Sequence, residues 1–132
     1  MVRRSHGCFS IKDNNVVTQI VVMGGKSKGS GTYQISSTEV LDVDTMTWGI
    51  GPPLPFEVFG NKGIESVSGS YLGFSSGGNT VHSTQQSTKH SKIYGLKNTS
   101  ENMYIWEEVQ SMTKARYIHS IVNAPSSLLP NC

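Results

Sequence analysis

Length, composition and charge limit what this chain can be. It has 132 residues, enough for one ordinary domain, with 36% hydrophobic residues and a formal charge of +2. The eleven Lys and Arg residues form no run longer than two, which argues against a nucleic-acid-binding surface. No apolar stretch approaches the roughly 18 residues of a membrane span, and fourteen Gly and five Pro favour short strands joined by turns.

The first half of the chain predicts four short strands. The second of them, VVTQIVVM, is β-branched and almost continuously apolar, which is typical of a strand buried on both faces. A turn over 12–15 precedes it, and Gly24 and Gly25 end it. The polar stretch 26–37 predicts a long exposed loop. The predicted strands of this half are 6–11, 16–23, 38–43 and 46–50.

The second half predicts the same arrangement. Gly77 and Gly78 again precede a long polar loop, 79–90, which is rich in Ser, Thr and Gln. A crossing segment, 111–115, leads to one last strand at 117–123. No segment has a sustained 3.6-residue period, so we predict no long helix. The predicted strands of this half are 61–67, 71–76, 91–96 and 103–109.

Three landmarks recur along the chain in a fixed order: Arg-x-x-His, a Gly-Gly pair and a Trp. The Gly pairs are 53 residues apart and the two Trp residues are 58 apart. A period near 50 with four short strands per unit is typical of one blade of a β-propeller. The landmark residues are Arg3, His6, Gly24, Gly25 and Trp48 in the first copy, Gly77, Gly78 and Trp106 in the second, and Arg116 and His119 in the third.

The landmarks and the segments around them resemble the kelch repeat. The segments that carry the resemblance in the first copy are RRSH at 3–6, VVMGG at 21–25, TEVLDVDTMTW at 38–48 and PPLP at 52–55. The second copy departs from the pattern at its opening, where Val58 and Asn61 stand in place of Arg and His. The third copy, ARYIHS at 115–120, matches only the first strand of a repeat.

The resemblance implies an all-β fold, a partial kelch-type β-propeller. It would consist of two four-stranded antiparallel blades, residues 1–57 and 58–114, followed by the first strand of a third blade and a tail, 115–132. Propellers usually have four to eight blades, so two blades and a strand cannot close a ring. We therefore expect closure to require missing blades from a longer protein, or self-association.

Each landmark residue has a structural explanation. A Gly-Gly pair permits positive φ and a close approach of neighbouring blades, and a Trp supplies a large apolar area. The opening Arg and His can hydrogen-bond loop carbonyls. Because His6 and His119 recur at equivalent places in separate blades, we do not expect them to bind a metal. We expect His82 and His90 to be solvated, since their loop has no Cys or carboxylate companions.

No catalytic constellation is visible in the sequence, and we predict neither an enzyme nor a cofactor. Ser30 lies between two glycines but lacks the strand-to-helix elbow of a hydrolase nucleophile. The segment 24–27 mimics part of a phosphate loop without its first glycine or its helix. Glu107 and Glu108 are adjacent on a predicted strand, so they face opposite ways and cannot act as a pair.

The kelch resemblance implies a protein-interaction module with a protein partner. From the charge pattern and the lack of a long apolar stretch we expect neither nucleic acid nor a membrane as partner. In kelch-like proteins the long loops and the blade crossings form a binding rim, which here corresponds to 26–37, 79–90 and 53–60. Such proteins commonly serve as substrate-recognition parts of ubiquitin-ligase adaptors or as actin-associated proteins, which implies a cytoplasmic location. The candidate partner-binding residues are Tyr33, Gln34, Phe56, Phe59, Gln85 and Gln86.

Two alternatives stay open. Some oxidases of the galactose oxidase type are built on kelch-like propellers and hold copper, but Cys8 and Cys132 lie apart from any grouping of Tyr and His that such a site needs. A secreted binding protein is the other alternative, because Asn98 opens a glycosylation acceptor triplet. We expect the two cysteines to be unpaired thiols, with a disulfide between them as the minority reading.

Overall fold

The computed structural model of this chain describes residues 2–28, 32–67, 69–83, 85–99 and 103–117. These residues form thirteen β-strands and no helix, so the all-β prediction is confirmed. The strands are β1 (Arg3–Arg4), β2 (Gly7–Asp13), β3 (Val16–Met23), β4 (Lys26–Lys28), β5 (Thr32–Gln34), β6 (Thr38–Asp42), β7 (Thr47–Gly51), β8 (Lys62–Glu65), β9 (Gly73–Ser76), β10 (Asn79–Ser83), β11 (Gln86–Lys89), β12 (Lys92–Asn98) and β13 (Tyr104–Ser111).

Two four-stranded antiparallel sheets organise the chain. The first sheet has the order β2-β3-β6-β7, and the second has the order β8-β9-β12-β13. Each sheet carries a hairpin inserted between its second and third strands: β4-β5, with β1 beside it, in the first, and β10-β11 in the second. The two halves of the chain therefore share one topology, and neither sheet is closed.

Strand β3 shows how the sequence produces the first sheet. The turn before it has Asn14 and Asn15 at φ values of 48° and 66°, and paired positive φ values suit the tight turn of a hairpin. The strand coincides with the predicted segment, but only part of it is buried. Val21 and Met23 are fully buried, whereas Val16 is 65% exposed. The expectation of burial on both faces is wrong, because the second sheet covers one face only.

The stretches 26–37 and 79–90 are hairpins rather than the loops that we predicted. Every described side chain of β11 is exposed, and β10 is buried only at its first residue. A ribbon with solvent on both faces needs no apolar alternation, so hydrophobic periodicity cannot reveal it. Its backbone groups are nevertheless paired strand to strand.

The Gly-Gly pairs form the same backbone corner in both halves. Gly24 and Gly25 have φ values of 65° and 100°, and Gly77 and Gly78 have values of 62° and 104°. Such angles are open to glycine and costly for other residues. In each corner the second glycine donates its N–H to the opening of the next repeat, over 2.6 Å to the carbonyl of Val58 and 2.8 Å to that of Arg116.

The hydrophobic core lies between the two sheets. Phe9 is at its centre and contacts the edge of Trp106, with ring centroids 6.3 Å apart. The indole N–H of Trp106 donates to the first half of the chain, over 3.3 Å to Thr38 Oγ1 and 3.0 Å to the carbonyl of Pro52. The buried core residues are Phe9, Val21, Met23, Val40, Leu54, Val58 and Leu96.

Most of the predicted third repeat falls outside the described residues, including His119, Cys132 and all of the predicted strand 117–123 except Tyr117. Of that repeat the structure describes only 115–117. In the part of the chain that it describes, no helix has the length and apolar character needed to cross a membrane.

Candidate functional site

One side chain joins the two inserted hairpins. Nε2 of Gln34, on β5, donates to the carbonyl of Val81, on β10, and the N–H of Val81 donates back to Oε1 of Gln34, both over 2.6 Å. A primary amide offers a donor and an acceptor side by side, so it can pair with a strand edge as another backbone would. The strands β1, β4, β5, β10 and β11 therefore form one connected surface, here called the hairpin rim.

The hairpin rim is basic. Its five strands contain Arg3, Arg4, Lys26, Lys28 and Lys89 and no Asp or Glu. Arg3 is neutralised internally, because its side chain is only 4% exposed and its Nη2 lies 2.5 Å from Oε2 of Glu39. Arg4 stands directly opposite Lys26 in the β1-β4 register. The rim thus places like charges side by side, an arrangement that an anionic partner would relieve.

Aromatic rings lie beneath two of the rim cations. Nζ of Lys26 is 3.6 Å from the ring centroid of Phe59, and Nζ of Lys89 is 5.4 Å from that of Tyr117. Phe59 also forms a backbone bridge with Asn79, which is paired with Lys89 across the β10-β11 hairpin. These contacts run from one hairpin to the other and hold both ammonium groups at the surface.

Carboxylates gather at the opposite ends of the strands. Asp13 ends β2, Asp42 ends β6 and Glu65 ends β8, and the antiparallel registers put these residues far from the Gly-Gly corners. Asp42 accepts hydrogen bonds from the N–H and Oγ1 of Thr45, which together hold the pKa of its carboxyl below the ordinary value. The charge of the molecule is therefore separated along the strand direction.

Few cations offset this acidic end. Lys12 is paired with Glu65 over 2.9 Å, and Lys97 with Glu107 over 2.7 Å. On the rim side, Glu57 is the carboxylate residue beside β10, where its backbone carbonyl accepts a hydrogen bond from Oγ1 of Thr80. The positive end retains Arg4, Lys26 and Lys89 with no carboxylate partner shown among the described residues.

The structure separates the six candidate partner-binding residues into two groups. Tyr33 is 56% exposed on β5, and Gln85 and Gln86 are exposed at the tip of the β10-β11 hairpin. Phe59 is only 9% exposed, and Phe56 is stacked on His90 with centroids 4.0 Å apart. Both Phe residues thus pack beneath the rim, and their role in binding a partner stays a prediction. Gln34 connects the hairpins instead of projecting from them.

The two histidines of the second hairpin differ. His82 is exposed, and its Nε2 lies 3.0 Å from Oγ1 of Thr88. His90, which we expected to be solvated, is only partly exposed: its ring is stacked on Phe56, and its Nε2 lies 2.8 Å from Oγ1 of Thr80. Burial, and then the nearby charge of His82, lowers the pKa of His90 from its ordinary value of 6.5. The described residues contain no group of three or more His, Cys, Asp or Glu side chains that could hold a metal ion.

Arg3 and His6 lie at the first glycine corner. Nη1 of Arg3 donates to the carbonyls of Gly24 and Ser37 over 3.1 and 2.9 Å, which satisfies two loop carbonyls. Burial, and then the Arg3 charge, lowers the pKa of His6. For Glu39, burial alone would raise the pKa of the carboxyl, but the charge and hydrogen bond of Arg3 bring it below its ordinary value.

The two Trp residues have different surroundings. Trp106 is packed between the sheets, whereas Trp48 is 56% exposed. Trp48 therefore presents its apolar area to solvent, because no part of the described chain covers that face of the first sheet. Cys8 is a free thiol and is exposed, while Cys132 lies outside the described residues.

Sequence reasoning missed Lys26, Lys89 and Val81 as parts of the rim. In the sequence, Lys26 and Lys89 are isolated lysines in polar stretches and do not indicate a shared surface. The register that brings the two stretches together depends on tertiary contacts. Glu107 and Glu108 are engaged separately, Glu107 by Tyr71 and Lys97 and Glu108 by Lys92, each over 2.7 Å. The segment around Ser30 lies outside the described residues.

The comparisons with known proteins add no assignment. Neither a scan against models of protein families nor a search of curated proteins finds a match to this chain.

Proposed function

We propose that this chain is a non-catalytic protein-interaction module of the kelch propeller type, and that its hairpin rim binds an acidic segment of a partner protein. The observation that carries the proposal is the pairing of Gln34 with Val81, which unites two basic hairpins in one surface. Neither hairpin alone has more than two lysines in its strands, but together with β1 they form a continuous basic face.

The architecture supports the propeller part of the proposal. Two sheets of the same four-strand order stack face to face, and in each a glycine corner after the second strand bonds to the next repeat. Sheets that repeat in this way expose their inserted hairpins on one side of the stack. Interaction surfaces on repeat proteins are commonly built from such projecting segments, held in place by a rigid scaffold.

The side chains of the rim suit a protein partner. Tyr33 offers a large exposed ring beside the amide of Gln34, and Gln85 and Gln86 offer adaptable polar groups. Tyrosine is enriched at binding hot spots because it combines apolar area with a polar tip. Complementary charge would mainly raise the association rate and select against basic partners.

The experiment uses fluorescent poly-L-glutamate as a defined acidic probe, with binding followed by fluorescence anisotropy. Replacing Lys26 and Lys89 together by Gln should weaken binding about tenfold, since two surface charge contacts are lost. The matched control replaces Lys12 and Lys97 by Gln, which removes the same charge from the opposite end. Binding should also fall steeply with added salt.

Equal weakening by both double variants would contradict the proposal, because net charge rather than the rim would then drive binding. A single-stranded oligonucleotide that binds the chain more tightly than polyglutamate does would also overturn it. A ubiquitin-ligase adaptor role and an actin-associated role in the cytoplasm are the finer readings implied by the kelch resemblance. Co-sedimentation with filamentous actin, compared between wild type and the Lys26/Lys89 variant, separates the second from the first.

A further inference from the structure

Trp48 and Trp106 occupy the same position in their sheets. Leu41 is paired with Trp48 across β6 and β7, and Leu96 is paired with Trp106 across β12 and β13. The alternation of side chains along a strand then assigns both indoles to the corresponding face of each sheet. The surroundings of Trp106 therefore indicate what kind of surface would cover Trp48.

The face that carries Trp106 is covered by the first sheet. Phe9 contacts the indole ring, and Thr38 and Pro52 accept hydrogen bonds from its N–H. The face that carries Trp48 has no such cover among the described residues. Trp48 is 56% exposed there, and Ile50, two residues further along β7, is 97% exposed.

A groove of about 450 Å³ lies on this open face beside Trp48. Its lining residues are Val2, Arg3, His6, Val22, Glu39 and Trp48. Counted from the glycine corners and the Trp pairs, the positions equivalent to His6, Val22 and Glu39 in the second half are Asn61, Ser75 and Tyr94. These equivalents are 0%, 4% and 7% exposed, because the first sheet packs over them.

The groove is thus one half of an interface whose other half is a sheet of the same kind. The outer face of the second sheet supplies that half. Ile64 and Phe74 are paired there across β8 and β9, at the positions that Phe9 and Val21 occupy in the first sheet. The two halves lie on opposite sides of the stack, so a single copy cannot join them.

We propose that copies of this chain associate head to tail, with the outer face of the second sheet of one copy on the Trp48 face of the next. The contact joins two different surfaces, so it produces a ring when the rotation closes and an open array when it does not. Two to four copies would contain about four to eight sheets, the range of propeller rings. Of the residues that line the groove, only Arg3 also belongs to the hairpin rim, and the contact does not depend on the proposed function.

Sedimentation velocity over a series of protein concentrations tests this association. The full chain should shift from monomer to larger species as its concentration rises. In the same samples, acrylamide should quench Trp48 in the dilute protein and be excluded from it in the concentrated protein. A monomer at every concentration, with Trp48 equally quenched throughout, would overturn the proposal.

Variants on the two faces test the direction of the contact. Ile50→Glu and Ile64→Glu should each weaken association at least tenfold, while Val67→Glu, at a 76% exposed position between β8 and β9, should not. The Ile50 side chain is almost fully exposed in the monomer, so Ile50→Glu should still fold. A loss of association in this variant therefore reports on the contact itself. Circular dichroism provides the same check for Ile64→Glu.

Mixing the two interface variants gives a further outcome. Each retains one intact face, so a head-to-tail contact predicts that the mixture forms a species of one copy of each and stops there. Persistent association of Ile64→Glu alone would show that two Trp48 faces bind each other, and would overturn the head-to-tail arrangement.

Discussion

At the scale of the residue, the glycine corners connect one repeat to the next. In both corners the second glycine has a φ near 100° and gives its N–H to the opening residue of the following repeat. A side chain at Gly78 would meet the side chain of Val58, which is itself buried at the end of the first corner. The corners therefore need glycine both for the backbone angle and for the space.

The chain offers a matched pair for testing this requirement. Gly78 and Gly69 have φ values of 104° and 98°, but a Cβ on Gly69 would have no atom within 4 Å. Both Ala variants should lose about 1–2 kcal/mol through the left-handed backbone, and Gly78→Ala should lose about 1–3 kcal/mol more through the clash. Urea unfolding measures both. Equal losses would show that the space around Gly78 does not matter.

Two histidines whose pKa values are lowered in the folded chain predict a pH dependence of stability. The pKa values of His6 and His90 lie below the ordinary 6.5, chiefly because of burial. The unfolded chain therefore binds these protons first, so the contribution to stability is complete above pH 6.5 and is lost as the pH falls through the folded-state values. The shifted carboxyl groups lie below their own ordinary values and do not titrate in this window.

We expect the urea midpoint to fall between about pH 7.5 and 5.5, and the His90→Gln variant to show a smaller fall. The Gln85→Ala variant, at the exposed tip of the same hairpin, is the control and should keep the full fall. A midpoint that stays constant over this range, or one that rises on acidification, would contradict the lowered pKa values of the two histidines.

At the scale of the element, the inserted hairpins depend on each other. The second hairpin is a ribbon of two strands, and the first has the short strand β1 as its one added neighbour. An isolated hairpin of this size is marginally stable in water. The amide of Gln34 caps an otherwise unpaired edge of β10 at Val81. The two ribbons therefore should be ordered together rather than separately.

Hydrogen exchange at the Val81 amide tests this dependence. Gln34→Ala removes the acceptor of that N–H, at a local cost of about 0.5–1.5 kcal/mol for each of the two bonds, so exchange should become about tenfold faster. Gln85→Ala, at the exposed hairpin tip, should leave the rate unchanged. Amides of β3 serve as the internal reference, and faster exchange there as well would indicate global destabilisation instead of a local tie.

At the scale of the whole molecule, the sequence predicted two halves with the same order of strands. It did not predict how the two sheets pack on each other. The strand over 16–23 was predicted with its observed ends, because its β-branched residues favour an extended backbone and the glycine pair that follows ends the strand. The exposure of Trp48 could not be predicted, because its local pattern is that of Trp106 and only the neighbouring sheet distinguishes them. The burial of Phe59 depends in the same way on a crossing segment that folds under the rim.

For the hairpin rim, the sequence predicted which stretches of the chain contribute to it but not how those stretches pair. Tyr33 and the glutamines were identified by their composition, but the pairing of Gln34 with a distant backbone has no local signature. The separation of charge between the two ends of the strands was hidden as well, since lysines and carboxylates alternate along the sequence without forming runs. Both features depend on register, which is a property of the folded sheets.

The two repeats fold into like sheets that stack with Trp106 inside and Trp48 outside. Nuclear Overhauser spectra of a dilute sample test it most directly. We predict cross-peaks from the Trp106 indole to the ring of Phe9 and to Thr38, and no cross-peak between the ring of Phe9 and Trp48. Absence of the contacts of Trp106 with the first sheet would contradict the account.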